Sequence, residues 1–204
     1  MAAGFGIFSP LFEASADYLA LLHLDAPEAH RAVAKVVEQC HESSACHEDI
    51  GRLFNQPNWR PHLVGAVAIS AIPFDLKSCS KLWEAFDGGS WVAPQLAVAA
   101  FIRDPTFVDQ AGARIRSRCP MNESRNLGVT RIELHDAAGP ARVTHRSAKA
   151  AASLVHLAGL LPFRPDWLDT ELSKPDLIDL LAADIDHADK ITQQWFARLK
   201  DILN

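Results

Sequence analysis

The sequence contains a gapless internal repeat: PHLVGAVAI at residues 61–69 aligns with PQLAVAAFI at residues 94–102, at an offset of 33 residues. Both stretches are almost wholly apolar and rich in small residues. The same offset carries Phe74 onto Phe107, so the similarity continues beyond the apolar core of each unit. Self-similarity at this period is typical of helical repeats, and each stretch predicts one buried helix.

Each unit continues with a turn and a second, more amphipathic helix. Pro73 and Pro105 mark the turns, and residues 75–86 and 106–118 form the second helices. A helix that is apolar all round must be buried, and its Ala and Gly positions let neighbouring helices approach closely. Over residues 59–118 the chain therefore resembles HEAT-like or armadillo-type repeat proteins. The resemblance implies an all-α fold, an α-α superhelix of stacked antiparallel helix pairs.

Helical spacing of apolar residues extends into both flanks. In the first predicted helix Ser9 is the cap and Pro10 lies in the first turn. A third small-residue unit starts near Ser147, and the last helix carries Trp195 on an apolar side that suits the cap of a helical stack. The helices predicted outside the repeat cover residues 9–23, 27–42, 44–54, 147–158, 175–185 and 187–203.

Residues 119–146 do not fit the repeat. Residues 128–135 and 141–145 alternate locally around a Gly-Pro turn, which predicts a small β-hairpin inserted around 128–145. A loop with a short helix is the alternative. The chain is then one domain, residues 1–204, and its parts are N-terminal helices (1–58), two repeat units (59–118), an irregular arginine-rich insertion (119–146) and C-terminal helices (147–204).

Composition favours a soluble cytoplasmic protein that does not bind membranes. The chain has 204 residues, 49% of them apolar, enough to bury a core. No lysine or arginine precedes Arg31, so the start lacks the cationic region of a secretory signal peptide. The longest uncharged stretch, residues 88–102, is too short to span a membrane as a helix.

Charge is segregated along the chain. The net charge of −5 counts against a general nucleic-acid binder, which needs many cations to neutralise phosphates. Yet seven of the thirteen arginines lie between positions 114 and 146. Arginine binds carboxylates with two parallel hydrogen bonds, so this cluster predicts a protein partner with an acidic surface patch. The alternative is a solvated face with internal salt bridges to the acidic flanks. The predicted binding arginines are Arg103, Arg114, Arg116, Arg118, Arg125 and Arg131.

Two tryptophans complete the predicted binding set. Trp59 and Trp91 begin the two repeat units, and exposed tryptophans are frequent anchors of protein interfaces. The alternative is that both pack where their helices start, with Trp83 in the stack between them.

No cofactor or metal site is predicted. Cys40, His41, Cys46 and His47 offer ligands that zinc prefers, but residues six or seven apart on one helix lie about 10 Å apart, too far to share one ion. A bend between the pairs is the exception. The four cysteines form no CxxC pair, and we expect reduced, mostly structural thiols. They are Cys40, Cys46, Cys79 and Cys119.

The chain carries no nucleotide-binding, metalloprotease or serine-hydrolase motif. The leading hypothesis is a non-enzymatic protein–protein interaction module, by analogy a bacterial immunity or adaptor protein. The second is a HEAT-like DNA-repair glycosylase with Trp59, Trp83, Trp91 and residues 103–146 in a basic groove. The third is a metal-dependent enzyme that uses the cysteines and histidines at residues 40–47.

Overall fold

The computed structural model describes residues 4–13, 17–119 and 140–203, and for residues 140–144 it describes the backbone alone. Every regular element in these ranges is a helix, none is a strand, and no described helix is long and apolar enough to cross a membrane. Two 3-10 helices, Gly6–Phe12 and Asp17–Leu22, come first. The α-helices are α1 (Pro27–Glu42), α2 (Cys46–Phe54), α3 (Trp59–Ala71), α4 (Leu76–Asp87), α5 (Ala93–Arg103), α6 (Phe107–Arg116), α7 (Pro140–Gly159), α8 (Asp166–Leu172), α9 (Pro175–Ala182) and α10 (Ile185–Leu203).

The first predicted helix, residues 9–23, is wrong. The chain instead forms the two 3-10 helices, and the Ser9 hydroxyl accepts a hydrogen bond from the Phe5 amide rather than capping a helix that follows it. Pro10 lies inside the first 3-10 helix and has no amide hydrogen to donate. The buried carboxylate of Asp49 also accepts the Ile7 amide at 2.9 Å, a tertiary contact that local sequence does not reveal.

The two repeat stretches form helices as predicted, and they lie at the centre of the molecule. Residues 61–70 in α3 and 93–100 in α5 are buried on every side. Helix α5 packs against α3, α4, α7 and α10, which leaves none of its faces to solvent. Small side chains permit this because a helix can approach closely wherever the neighbouring helix carries Ala or Gly.

The amphipathic helices form the outer side of this row. Helices α2, α4 and α6 each pack on the small-residue helix that comes next in the chain: α2 on α3, α4 on α5, and α6 on α7. Helices α2 and α4 also pack side by side. The second helix of a unit therefore makes broader contact with the first helix of the next unit than with the first helix of its own unit.

Helix α7 contradicts the second strand of the predicted hairpin. Residues 141–145 are helical, within Pro140–Gly159. Pro140 suits the first turn of a helix, and the alanine-rich stretch after it propagates the helix, which outweighs the weak strand preference of Val143 and Thr144. Residues 128–135, the predicted first strand, lie outside the described residues. The helix predicted for the third small-residue unit, residues 147–158, is confirmed as part of α7.

The C-terminal helices pack against the N-terminal part of the chain. Helix α8 was not expected from sequence, whereas α9 and α10 fall close to the predicted ranges. The indole of Trp195 on α10 is fully buried and donates to the Leu21 carbonyl at 3.0 Å. Since α10 also packs along α5 and α7, it covers the row of small-residue helices instead of extending the row at its end.

Candidate functional site

Arg114 is bound inside the fold. Its guanidinium forms two hydrogen bonds with the Asp87 carboxylate, at 2.7 and 2.8 Å, and a third with the Gln110 side chain at 2.7 Å. It also lies over the Trp83 ring, 4.1 Å from the ring centroid. The side chain is only 14% exposed, so it links α6 to α4 and has little surface left for a partner.

Arg118 plays a similar part just after the end of α6. It forms two hydrogen bonds with Asp176 and one with the buried carboxylate of Glu171, at 2.7 to 3.0 Å. The guanidinium lowers the pKa of the Asp176 carboxyl. Lys174 first, and then Arg118, lower the pKa of Glu171. The arginine therefore attaches the end of α6 to α8 and α9.

The remaining predicted arginines do not gather into one patch. Arg103 donates to the Ser70 carbonyl at 2.6 Å and so caps the last turn of α3. Arg116 is exposed, and among the described residues it has no ion pair. The other two, Arg125 and Arg131, lie outside the described residues. Two arginines of the cluster, Arg114 and Arg118, are thus paired with acidic residues of α4, α8 and α9.

The three repeat-associated tryptophans have different environments. Trp83 is buried and donates its indole N–H to Asp104 at 2.7 Å, so it is a core residue. Trp59 is half-buried against the core, and Arg60 lies over its ring at 4.9 Å. Trp91 is 43% exposed.

Trp91 lies in the turn between α4 and α5, where helix α7 passes beside it. The Arg146 guanidinium is 5.2 Å from the centroid of the Trp91 ring, within the range of a cation–π interaction. One turn further along α7, the Lys149 ammonium donates to the Trp91 carbonyl at 3.3 Å. Two cations of one helix therefore converge on the exposed tryptophan.

The turn between α9 and α10 completes this surface. His145 lies 3.6 Å from the Asp184 carboxylate, and the next residue, Ile185, is 37% exposed. Burial lowers the pKa of the Lys149 ammonium, and Asp184 opposes that shift only in part. We call this group the Trp91 surface. It comprises Trp91, His145, Arg146, Lys149, Asp184 and Ile185.

Of the Trp91 surface, only Trp91 was among the predicted binding residues, although Arg146 is the last arginine of the cluster between positions 114 and 146. His145 and Lys149 are four residues apart, a spacing that places both on one face of a helix. The hairpin prediction hides this signal because it treats residues 141–145 as a strand. Asp184 and Ile185 come from a distant turn, and no local pattern indicates that they would lie beside α7.

The cysteine–histidine cluster does not form a metal centre in the described residues, where no group of three metal-ligating side chains occurs. Cys40 and Cys46 are buried, whereas His41 and His47 are exposed. All four cysteines of the chain are free and buried.

A shallow cleft of about 210 Å³ lies between α2 and α4. Arg52 in this cleft is paired with Glu48 and Asp49, and Lys81 is paired with Glu84. Two of its cations are thus already engaged, and the Trp91 surface remains the better candidate for binding.

Comparison of the chain with protein-family models, with curated proteins and with solved structures finds no match.

Proposed function

We propose that this protein is a non-enzymatic interaction module that binds a protein partner through the Trp91 surface. The observation that carries the proposal is the exposure of Trp91, 43%, with Arg146 against its ring and Lys149 on its carbonyl. Tryptophan and arginine are the residue types most enriched among the side chains that dominate interface energies. A rigid aromatic held by its own turn and by α7 can bind with little loss of conformational freedom.

The partner is expected to carry an acidic patch. Arg146 and Lys149 place two cations beside Trp91, and the carboxylate of Asp184, which lies near them in the described part of the chain, belongs to a side chain that is only 7% exposed. A carboxylate from a partner would favour the charged form of Lys149, which burial disfavours. Electrostatic complementarity of this kind selects partners and speeds association.

The proposal includes a fold hypothesis: helices α2 to α7 form a HEAT-like superhelix. In its support, α3, α5 and α7 pack in sequence as a row of small-residue helices, and α2, α4 and α6 each pack on the helix that follows. Helix α10 covers part of that row, so binding would use the turns and ends of the helices. An experimental structure in which α2, α4 and α6 share no layer would contradict this hypothesis.

Bacterial immunity or adaptor proteins are the functional class we propose, because both act by binding another protein through a preformed surface. The glycosylase alternative requires a broad basic groove, since DNA binding depends on neutralising phosphates. Arg114 and Arg118 are held by carboxylates and Trp83 is buried, so these residues supply little to such a groove.

Site-specific photo-crosslinking tests the proposal. A benzophenone amino acid replaces Trp91 in one variant and Phe163, which is 56% exposed, in a control variant. Phe163 follows the far end of α7, about 15 Å or more from Lys149 along the helix axis. We expect one protein to crosslink at position 91 only, and to bind the purified wild-type chain more weakly as the NaCl concentration rises.

Two results would overturn the proposal. One is equal crosslinking at both positions, or crosslinked proteins that do not bind when purified. The other comes from a parallel gel-shift titration with duplex DNA at low ionic strength: steeply salt-sensitive binding would favour the glycosylase reading.

A further inference from the structure

The cleft between α2 and α4 is lined by hydrogen-bond donors. Its permanent cations are Arg52 from α2 and Lys77 and Lys81 from α4. Among the described residues that line it, Glu48 is the acid. The rest of the lining consists of His47, Gly51, Asn55 and Ser78. A concave site with more cations than acids attracts anions, because its low-dielectric walls concentrate the electric field.

The ion pairs of two of these cations leave donors free. Arg52 binds Glu48 at 2.6 Å and Asp49 at 2.9 Å, each through a different nitrogen of the guanidinium. Lys81 binds Glu84 at 2.9 Å. A guanidinium and an ammonium each carry more N–H groups than these pairs use. The acids therefore hold both cations in position without using all of their hydrogen bonds.

Lys77 supplies a charge that no described acid pairs with. The residue is exposed, and in the part of the chain that the structure describes its ammonium makes neither an ion pair nor a hydrogen bond. The Asp75 carboxylate, two residues before it, accepts instead from the amide and the hydroxyl of Ser78, both at 2.7 Å. The Lys77 ammonium is thus available to a ligand in the cleft.

Gly51 keeps the cleft open. A glycine inside a helix weakens the helix, because its backbone loses more conformational freedom on folding. At Gly65 packing explains the glycine, since an added Cβ would lie 2.7 Å from the Phe54 ring. At Gly51 an added Cβ would meet no atom within 4 Å, and the residue lines the cleft. Helix packing gives no reason for a glycine at position 51, whereas an open binding site does.

We propose that this cleft binds the phosphate group of a small molecule, with Arg52, Lys77 and Lys81 donating to the phosphate oxygens. A phosphate group carries up to about two negative charges at neutral pH, and arginine and lysine bind it with charge-assisted hydrogen bonds. The cleft volume of about 210 Å³ is smaller than the roughly 300 Å³ at which pockets for drug-sized ligands begin. The ligand is therefore free phosphate or an ester with a small organic part.

The phosphate site is separate from the Trp91 surface. Trp91 follows the opposite end of α4, about 15 Å or more from Lys77 along the helix axis. The inference does not depend on the proposed function, and either can fail without the other.

The test is isothermal titration of the folded, full-length chain in a chloride buffer at neutral pH. Inorganic phosphate and methyl phosphate are titrated in separate experiments. We expect saturable binding to one site with a Kd of about 1 mM or lower, and the tighter of the two probes shows whether the ligand is the free ion or an ester. Acetate should bind at least about tenfold more weakly, because it carries less charge and fewer acceptor oxygens.

Two variants change the cleft in different ways. Gly51→Leu fills it with an apolar side chain and leaves its charge unchanged, so phosphate binding should be lost while stability in urea is kept or raised. Lys77→Gln removes the unpaired charge and should weaken phosphate binding about tenfold. The matched control is Lys190→Gln, an exposed lysine of α10 with no ion pair among the described residues, which should bind phosphate as the wild type does.

Several results would overturn the inference. One is wild-type protein without saturable binding up to about 10 mM phosphate, and another is acetate that binds as tightly as phosphate. Folded Gly51→Leu with wild-type affinity would place the bound phosphate outside the cleft. Equal weakening in Lys77→Gln and Lys190→Gln would show only a general effect of net charge. Because both lysines are exposed, this pair decides the question even if Gly51→Leu folds poorly.

Discussion

At the residue scale, His62 is held as a neutral imidazole inside the core. Its Nε2 is 2.9 Å from the Gln56 carbonyl and its Nδ1 is 2.8 Å from the Ser90 hydroxyl. A carbonyl only accepts, so Nε2 carries the proton and Nδ1 accepts from the hydroxyl. Burial lowers the pKa of His62 to about 4, against 6.5 for an unperturbed histidine.

This pKa shift predicts a loss of stability in acid. The unfolded chain protonates this histidine below pH 6.5 and the folded chain only near pH 4, so the unfolded state binds the extra proton between these values. The free energy of unfolding should then fall by about 1.4 kcal/mol per pH unit through this window. In urea unfolding at pH 7.0 and about pH 4.5, the wild type should lose roughly 2 kcal/mol more than His62→Gln. Equal losses would show that His62 does not titrate in this way.

The sequence predicts the helix around His62 but not its two partners. Gln56 and Ser90 both come from turns, whose positions depend on how the helices pack. Helix α5 begins at Ala93, and the Ser90 hydroxyl just before it lies 3.4 Å from the Val92 amide but bonds more closely to His62.

At the element scale, a single glycine sets the distance between α2 and α3. A Cβ atom at Gly65 would lie 2.7 Å from the Phe54 ring, closer than carbon atoms can approach. Gly51, also inside a helix, has nothing within 4 Å of an added Cβ.

Matched substitutions at these glycines should have opposite effects. Gly65→Ala should lower the free energy of unfolding by about 1–3 kcal/mol because the Phe54 ring must move in a packed core. Gly51→Ala should raise it by up to about 1 kcal/mol, since alanine favours the helix and meets no neighbour. Chemical denaturation measures both, and stabilisation by Gly65→Ala would refute the close approach of these helices.

The arginines at the end of α6 give a second matched pair. Arg118→Gln should lower the free energy of unfolding by about 1–3 kcal/mol, because it removes the pairing of the buried Glu171 and leaves only Lys174 beside it. Arg116→Gln, two residues away and exposed, should change it by less than about 0.5 kcal/mol. Thermal unfolding compares the two; similar effects would mean that Arg118 does not connect α6 to α8 and α9.

Sequence periodicity located most helices, and its failures have physical causes. The range 27–42 matches α1, and the second helices begin within a residue of their predicted starts. The 3-10 helices and α8 are short, so few apolar positions repeat within them. The start of α7 was missed because Pro140, its first residue, belongs to a Gly-Pro pair that also suits a turn. The residues that follow include β-branched side chains that also favour strands.

At the scale of the whole molecule, residues near the two ends of the chain pack against each other. Helix α10 contacts α5 and α7, and Arg198 on it pairs with Asp25 near the N-terminus at 2.6 Å. Buried side chains form a continuous cluster that includes Phe8 near one end and Leu199 near the other. In the proposed function the partner binds at turns and helix ends, and Trp91 lies in one of these turns.

Trp91 could be selected from the sequence, whereas the surface around it could not. A tryptophan after a Gly-Gly-Ser turn is a visible candidate anchor, but its exposure depends on α7 and on the turn before α10. The individual ion pairs of the arginine cluster could not be predicted for the same reason, although internal salt bridges were the stated alternative. The carboxylate partners of Arg114 and Arg118 lie far away in sequence and come close only when the helices pack; they are Asp87, Glu171 and Asp176.

The central claim is that Trp91 anchors a protein partner. The contribution of Trp91 to binding is measured directly by isothermal titration. The partner identified by crosslinking is purified by itself and titrated against wild type, Trp91→Ala and Phe163→Ala. We predict that Trp91→Ala weakens binding by about 2 kcal/mol, roughly 30-fold in Kd, while Phe163→Ala stays within about twofold of wild type. Wild-type affinity for Trp91→Ala, or an equal loss in Phe163→Ala, would contradict the claim.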